Sequence, residues 1–163
     1  MKNKVKTQDE LREIIDDLRG AGRKVAFTNG CFDLIHTGHV RYLKVARGYA
    51  DVLVVAINSD DSVRRLKGEK RPIMSQGERA EVLAALAFVD YVTVFEEDDP
   101  HRVITELMPD ALVKGGDWGV DRIVGKDVVE AYGGKVYSVP YIEGSSTTGI
   151  VERVVERYCP KAG

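Results

Sequence analysis

Two histidines stand three residues apart in a short polar stretch. The stretch reads His36-Thr37-Gly38-His39 and comes shortly after Asn29-Gly30-Cys31-Phe32-Asp33, where an apolar run ends. Gly30 and Gly38 allow the backbone to approach a ligand closely, and a helix starting near His39 would aim free N–H groups at an anion. Histidines spaced in this way can present donors on one side of a turn, as phosphoryl-type transfer requires. The alternative is that they are capping or surface residues.

Cys31, His36 and His39 are also residue types that bind zinc. No fourth ligand stands at a recognisable spacing, and structural zinc sites are normally four-coordinate. Zinc is therefore the weaker interpretation. A nucleophilic role for Cys31 is weaker still, because nothing in the sequence indicates an activated thiol.

A strongly basic segment follows Asn58-Ser59-Asp60-Asp61. Five of the eight residues from 64 to 71 are basic, and the segment contains Gly68 and precedes Pro72. A solvated charge run is the usual explanation. We expect a loop above the strand ends instead, where it would neutralise a triphosphate and could close as a lid.

Two further segments combine glycine with polar residues. Lys114-Gly115-Gly116-Asp117-Trp118 predicts a tight ligand wall in which Asp117 contacts a ribose or sugar hydroxyl, the alternative being a simple turn. Ser145-Ser146-Thr147-Thr148 precedes a helical pattern. Hydroxyl residues there can cap the helix and bind phosphate at the same time.

Apolar periodicity indicates the elements that must position these residues. An N-terminal helix with a capping box at Thr7–Glu10 is followed by five alternating strand–helix units, and a second capping box stands at Ser75–Glu78. This order predicts a three-layer α/β/α fold with a five-stranded parallel sheet. Ligands bind beyond the carboxyl ends of such strands, where all the candidate segments stand. The predicted strands cover residues 24–29, 52–57, 91–95, 111–113 and 135–139, and the later helices begin near residues 39, 75, 100, 123 and 147.

Composition and charge are those of one soluble domain. The 163 residues are 44% hydrophobic and 31% charged, and the net charge of −2 argues against a general nucleic-acid binder. Two distant cysteines, Cys31 and Cys159, favour a reducing compartment. No apolar run has the length of a signal peptide or a membrane span. We expect a cytoplasmic protein with one domain over residues 1–163: an N-terminal helix within 1–22 and a catalytic core over 23–158.

The ordered motifs resemble those of the nucleotidyltransferase superfamily, which has a Rossmann-like fold and includes cytidylyltransferases and adenylyltransferases. The resemblance begins with Phe32-Asp33 and the HxGH tetrapeptide, and it covers nearly the whole chain from about residue 24 to 157. It continues with Glu78-Arg79, Lys114-Gly115-Gly116-Asp117 and Ser146-Thr147-Thr148. Five stretches resemble a narrower group within the superfamily: Phe27–Asp33, Asn58-Ser59-Asp60, Leu66-Lys67-Gly68, Arg71-Pro72 and Val113–Asp117. By these stretches the chain is most similar to heptose-1-phosphate adenylyltransferases, found alone or as the C-terminal half of a bifunctional kinase–adenylyltransferase. Because no kinase half is present, the stand-alone form is expected.

The resemblance implies that ATP with Mg²⁺ and D-glycero-D-manno-heptose 1-phosphate give ADP-heptose and pyrophosphate, for lipopolysaccharide or another surface glycan. It implies a homodimer and no nucleic-acid or membrane partner. By the same resemblance, residues fall into three groups. The catalytic group is His36, His39, Lys67 and Arg79. The nucleotide-binding group is Asn29, Gly30, Cys31, Phe32, Gly38, His39, Gly115, Asp117, Ser146, Thr147 and Thr148. The substrate-binding group is Asp33, Lys67, Asp117 and Trp118.

Two other functions remain open. One is a cytidylyltransferase for glycerol 3-phosphate or a related alcohol phosphate. Those enzymes carry an arginine shortly before the final Gly-Ser/Thr loop, where this chain has Tyr141-Ile142-Glu143, so the resemblance favours them less. The other is a nucleotide-binding protein without turnover, which would not need donors directed at a transition state.

Overall fold

The computed structural model describes residues 3–116, 119–140 and 146–159. Within them, five parallel strands form one sheet in the order β3-β2-β1-β4-β5. The predicted three-layer fold is therefore confirmed. The strands are β1 Val25–Gly30, β2 Val52–Asn58, β3 Tyr91–Phe95, β4 Ala111–Gly115 and β5 Lys135–Val139.

Helices cover both faces of this sheet, and two of their starts carry the expected capping boxes. Thr7 and Ser75 each form a complete capping box, with Glu10 and Glu78 respectively. A 3-10 turn over Val120–Arg122 precedes α6. Among the helices of the described ranges, none combines the length and apolar composition needed to cross a bilayer. The helices are α1 Gln8–Gly20, α2 Thr37–Arg47, α3 Asp60–Lys67, α4 Gln76–Ala85, α5 His101–Leu107, α6 Lys126–Ala131 and α7 Thr147–Tyr158.

Strand β2 shows how the two core layers arise from one apolar run. All seven of its residues are buried. Its alternate side chains point to opposite faces, so Val54 joins a cluster with Leu11 and Ile104, while Val55 joins another with Leu43 and Leu83. The first cluster lies under α1 and α5, and the second lies under α2 and α4. Burial on both faces is why this strand is apolar throughout.

The order in which strands are added to the sheet changes direction at β1. The connection from β1 leads to β2 on one side, whereas the connection from β3 crosses back and places β4 on the other side of β1. The carboxyl ends of β1 and β4 therefore flank a topological switch point, where ligands bind in open parallel sheets. The candidate segments after both strands meet at this edge.

The basic segment differs from our prediction. We expected residues 64–71 to form a loop, but Arg64, Arg65 and Lys67 belong to α3, which begins after the N-cap Ser59. The helix was missed because most of its residues are charged and Val63 is its one buried apolar residue. Its end at Gly68 has a φ of 92°, which glycine adopts without strain.

Candidate active site

His36 and His39 lie against each other beyond the end of β1. His36 is the N-cap of α2 and His39 is the third helical residue, so both side chains occupy the same side of the first turn. Their ring centroids are 3.8 Å apart and the rings are nearly parallel, at 24°. His36 provides no side-chain cap to the helix. The expected pairing of the two histidines at a helix start is thus present, although the helix begins at Thr37 rather than near His39.

Both imidazoles are neutral at pH 7. Burial lowers the pKa of His36 below its ordinary value. Burial, together with the neighbouring His36, lowers the pKa of His39 to about 4, and a hydrogen bond with the Leu34 backbone opposes this effect only in part. The Nδ1 atoms of both rings are buried and have no hydrogen-bond partner among the described residues. Buried nitrogen atoms without partners cost free energy, so this pair retains hydrogen-bonding capacity for a ligand.

Phe32 and Gly30 support the histidine pair from below. Phe32 is buried, and its ring centroid lies 5.2 Å from that of His39. Its φ of 46° is unusual for a residue other than glycine. A Cβ atom at Gly30 would come within 3.0 Å of the Phe32 ring. Gly30 therefore makes room for the Phe32 ring, which packs against His39.

The start of α7 lies beside the same turn. Ser146 is the N-cap, and its side chain accepts a hydrogen bond from the Gly149 N–H at 3.0 Å. Thr147 Oγ1 donates to the Leu34 carbonyl at 3.5 Å, which joins α7 to the segment before α2. Ser146 and Thr148 are exposed and Thr147 is half-buried. Two helix N-termini, which attract anions, therefore approach the same region.

Asp33 does not face the cleft as we expected of a substrate-binding residue. Its carboxylate is almost fully buried and accepts hydrogen bonds from the backbone N–H groups of Ile73 and Met74, both at 2.9 Å. Arg71 also donates to it. Burial acts to raise the pKa of Asp33, but these donors outweigh burial and hold the pKa below its ordinary value. Asp33 therefore anchors the loop between α3 and α4.

The cations of the basic segment separate into paired and unpaired groups. Arg64 pairs with Asp61, and Arg65 pairs with Asp98 at 2.7 Å, so both charges have a carboxylate partner. Lys67, at the end of α3, is exposed. It lies close enough to Cys31 to oppose the effect of burial, which raises the pKa of that thiol. Lys67 thus remains next to the site.

Arg79 occupies a different position from the phosphate-gripping one that we expected. It is fully buried and is the largest such side chain in the described part of the protein. Its guanidinium is held by protein acceptors from three segments, so its position indicates a structural role. The acceptors are Met74 O at 3.1 Å, Cys31 O at 2.5 Å, Asn58 O at 2.9 Å and Asp60 Oδ1 at 2.7 Å.

Lys114 is a site residue that sequence reasoning missed. It lies near the end of β4, is half-buried, and donates from Nζ to Asn29 Oδ1 of β1 at 3.3 Å. The next residue, Gly115, gives space to Tyr42, whose ring would lie 3.2 Å from a Cβ atom there. A lysine that ends an apolar strand is the signal that could have identified it, because such a position is rarely charged without a reason.

Two expected site residues, Asp117 and Trp118, lie outside the described residues, as does Ser145. Across residues 3–116, 119–140 and 146–159, no three histidine, cysteine, aspartate or glutamate residues lie together in a way that could hold a metal ion. The Cys31 thiol instead contacts Asn58 Oδ1 at 3.9 Å.

Curated proteins of similar sequence include two bifunctional relatives. The chain is 54% identical over 156 residues to the bifunctional protein HldE of Trichlorobacter lovleyi and 54% identical over 155 residues to that of Geobacter metallireducens. These alignments cover 96% and 95% of this chain, but the chain spans only 32% of the length of either relative.

Solved structures share the fold. The lipopolysaccharide core biosynthesis protein of Thermoplasma volcanium is 29% identical with a TM-score of 0.61, and the match covers 76% of this chain and all of that one. Pantoate-beta-alanine ligase of Francisella tularensis matches over 93% of this chain and 77% of its own, with a TM-score of 0.63 at 16% identity, which bears on the fold alone.

The family model for cytidylyltransferase-like proteins matches residues 27–153, from β1 into α7. This range contains the histidine pair, Lys67, Lys114 and the start of α7, which the fold brings to one edge of the sheet. The chain belongs to the cytidylyltransferase-like family.

Proposed function

We propose that this protein is a nucleotidyltransferase that joins ATP to D-glycero-D-manno-heptose 1-phosphate, forming ADP-heptose and releasing pyrophosphate. The observation that carries the proposal is the stacked pair His36 and His39, whose buried Nδ1 atoms have no partner in the described ranges. Neutral imidazoles can donate to phosphate oxygens, and donors aimed at developing charge are what nucleotidyl transfer requires.

In the proposed reaction, a phosphate oxygen of the sugar phosphate attacks the α-phosphorus of ATP. The bond from that phosphorus to the oxygen bridging to the β-phosphate breaks, and pyrophosphate leaves with the electron pair. His36 and His39 hydrogen-bond the oxygens on the α-phosphate as their charge changes. The N-termini of α2 and α7, with Ser146, Thr147 and Thr148, hold the triphosphate. Lys67 neutralises part of its charge from the end of α3.

Asn29, Gly30, Cys31, Gly38 and Gly115 form the walls of the nucleotide cleft in this proposal. We also propose that Asp117 and Trp118 contact the sugar or the base. Asp33 and Arg79 act indirectly, because each uses its charged group to hold loops around the site.

The proposed Mg²⁺ belongs to the triphosphate rather than to a protein cage. The described residues provide no cluster of metal ligands, and Mg²⁺ in such enzymes is commonly bound through substrate phosphates and waters. When bound, it would supply charge neutralisation on the phosphates. A homodimer, a cytoplasmic location and the absence of nucleic-acid and membrane partners remain predictions.

The choice of substrates rests on the similarity to the HldE proteins and on the sequence motifs. Because the relatives are bifunctional and about three times as long, we assign to this chain only the adenylyl-transfer part of the activity. The lipopolysaccharide core biosynthesis protein of Thermoplasma volcanium offers further support for a surface-glycan product.

Pyrophosphate release tests the proposal directly. ATP and CTP are each offered with heptose 1-phosphate and with glycerol 3-phosphate, in the presence of Mg²⁺. We expect release with ATP and heptose 1-phosphate only. Release with CTP and glycerol 3-phosphate would support nucleotidyl transfer but show that the proposed substrates are wrong. Absence of release with every pair would contradict the assignment as an enzyme.

A further inference from the structure

Lys114 brings a positive charge to the switch point between β1 and β4. Its Nζ reaches across to Asn29 Oδ1 at 3.3 Å, so the side chain bridges the two strands whose ends flank the cleft. Asn29 stands two residues before Cys31, at the start of the segment that leads to the histidine pair. The ammonium group therefore lies at the base of the candidate site and not on the outer surface.

Within the described residues, the charge of Lys114 is poorly compensated. Its one hydrogen-bond partner in the described ranges is a neutral amide oxygen, and it forms no ion pair with a carboxylate of those ranges. Burial lowers the pKa of Lys114, which shows that its surroundings disfavour the cation. Exposed lysines without carboxylate partners are solvated and need no explanation, but a half-buried one at a cleft gains stability from an anion.

Lys67 and Lys114 come from opposite flanks of β1. Lys67 ends the helix that follows β2, whereas Lys114 ends β4, and β1 lies between these strands. Both charges are close enough to Cys31 to interact with its thiol. In-line transfer needs the attacking and leaving oxygens on opposite sides of the α-phosphorus. Two separate cations near the end of β1 can each bind one of the two phosphate groups that such a transfer brings together.

We infer that Lys114 binds the phosphate monoester of the acceptor substrate and places its attacking oxygen opposite the leaving pyrophosphate. This assignment rests on the proposed function, in which the triphosphate is held by Lys67 and the starts of α2 and α7. The acceptor phosphate is a dianion that otherwise has no protein cation assigned to it. Hydrogen bonding to Asn29 fixes the direction of the lysine side chain, so Asn29 is a positioning residue.

Steady-state kinetics of Lys114→Met test the assignment with the acceptor phosphate and ATP varied separately. Removing a charged hydrogen bond to the acceptor should raise its KM by about 10- to 100-fold, while the KM for ATP changes by less than about twofold. Lys114→Arg keeps the charge and should recover part of the loss. Lys44→Met, on the exposed side of α2, is the control and should match the wild type. An unchanged acceptor KM, or an equal rise in both KM values, would overturn the assignment.

A binding measurement separates this inference from the proposed function. Protein loaded with a non-hydrolysable ATP analogue and Mg²⁺ has its triphosphate site filled, and inorganic phosphate is then titrated in and followed by ³¹P NMR. We expect saturable binding that weakens about tenfold or more in Lys114→Met. Absence of saturable binding in the wild type, or equal binding in both proteins, would overturn the role of Lys114. If phosphate binding depends on Lys114 but heptose 1-phosphate is not turned over, Lys114 still binds the acceptor phosphate and only the proposed substrate is wrong.

Discussion

Replacing Arg79 with methionine removes a guanidinium that the protein buries completely and surrounds with four acceptors. Three of these acceptors are backbone carbonyls, of Cys31, Asn58 and Met74, and the fourth is the carboxylate of Asp60. The same side chain thus joins the segment after β1, the end of β2 and the start of α4. Methionine fills much of the volume but can donate to none of them.

The cost follows from the groups left behind. A buried acceptor that loses its partner costs about 1–3 kcal/mol, and breaking one side of a buried ion pair costs about 3–5 kcal/mol. These contributions overlap, because the carbonyls share one donor group and Asp60 is a quarter exposed. We therefore expect Arg79→Met to reduce the free energy of unfolding by about 3–5 kcal/mol. For a chain of this size, that lowers Tm by about 6–20 °C.

Thermal unfolding followed by circular dichroism measures this effect. Arg64→Met is the matched control, since Arg64 pairs with Asp61 on the surface of α3, and its Tm should equal that of the wild type. Binding of an ATP analogue is measured on both variants below their Tm. If Arg79→Met kept the wild-type Tm but lost nucleotide binding, the guanidinium would contact phosphate and our structural interpretation would be wrong.

Three further predictions concern the cleft. His39→Ala should lower kcat by about 10²–10³-fold with little change in nucleotide affinity, because its donor acts on charge in the transition state. Lys67→Ala should weaken binding of ATP, measured by calorimetry with a non-hydrolysable analogue, because an exposed cation beside the site is lost. The free energy of unfolding should fall as the pH is lowered from about 6.5 to about 4. In that window His39 takes up a proton in the unfolded chain before it does in the folded protein.

Each of these predictions has a contradicting result. A normal kcat in His39→Ala would remove this residue from the catalytic role. Lys44→Ala is the control for Lys67→Ala. Unchanged ATP affinity and turnover in Lys67→Ala would show that Lys67 is a solvated surface charge that does not bind the triphosphate. In urea titrations at several pH values, His39→Ala should lose part of the pH dependence. A wild-type profile in the variant would show that His39 is not the titrating group.

The arrangement of strands and helices followed from local patterns. Alternation of strand and helix signals predicted the parallel sheet, and the capping boxes at Thr7 and Ser75 marked two helix starts correctly. The strand over Val52–Asn58 was evident because burial on both faces demands an unbroken apolar run. Helix α3 was missed since its apolar residues are few. Helix α6 is shorter than expected, at Lys126–Ala131, because Gly125 has a left-handed conformation, with a φ of 87°, and is the N-cap at which the helix begins.

The candidate site was only partly predictable, because the role of a charge depends on partners far along the chain. His36 and His39 meet through local helix geometry, which their spacing reveals. Asp33 and Arg79 stand at motif positions that suggested ligand contacts, but their partners lie up to 48 residues away. Conversely, Lys114 belongs to a motif that we recognised, and its importance emerged only when Asn29 was placed beside it.

Transfer of the adenylyl group is the central claim, and isotope labelling tests it most directly. ATP labelled at the α-phosphorus or at the γ-phosphorus is incubated with the protein, Mg²⁺ and heptose 1-phosphate, and the products are separated. We predict that the α label appears in the sugar nucleotide and the γ label in pyrophosphate. Appearance of the γ label in the sugar phosphate or in inorganic phosphate, with no α label in a sugar nucleotide, would contradict the claim.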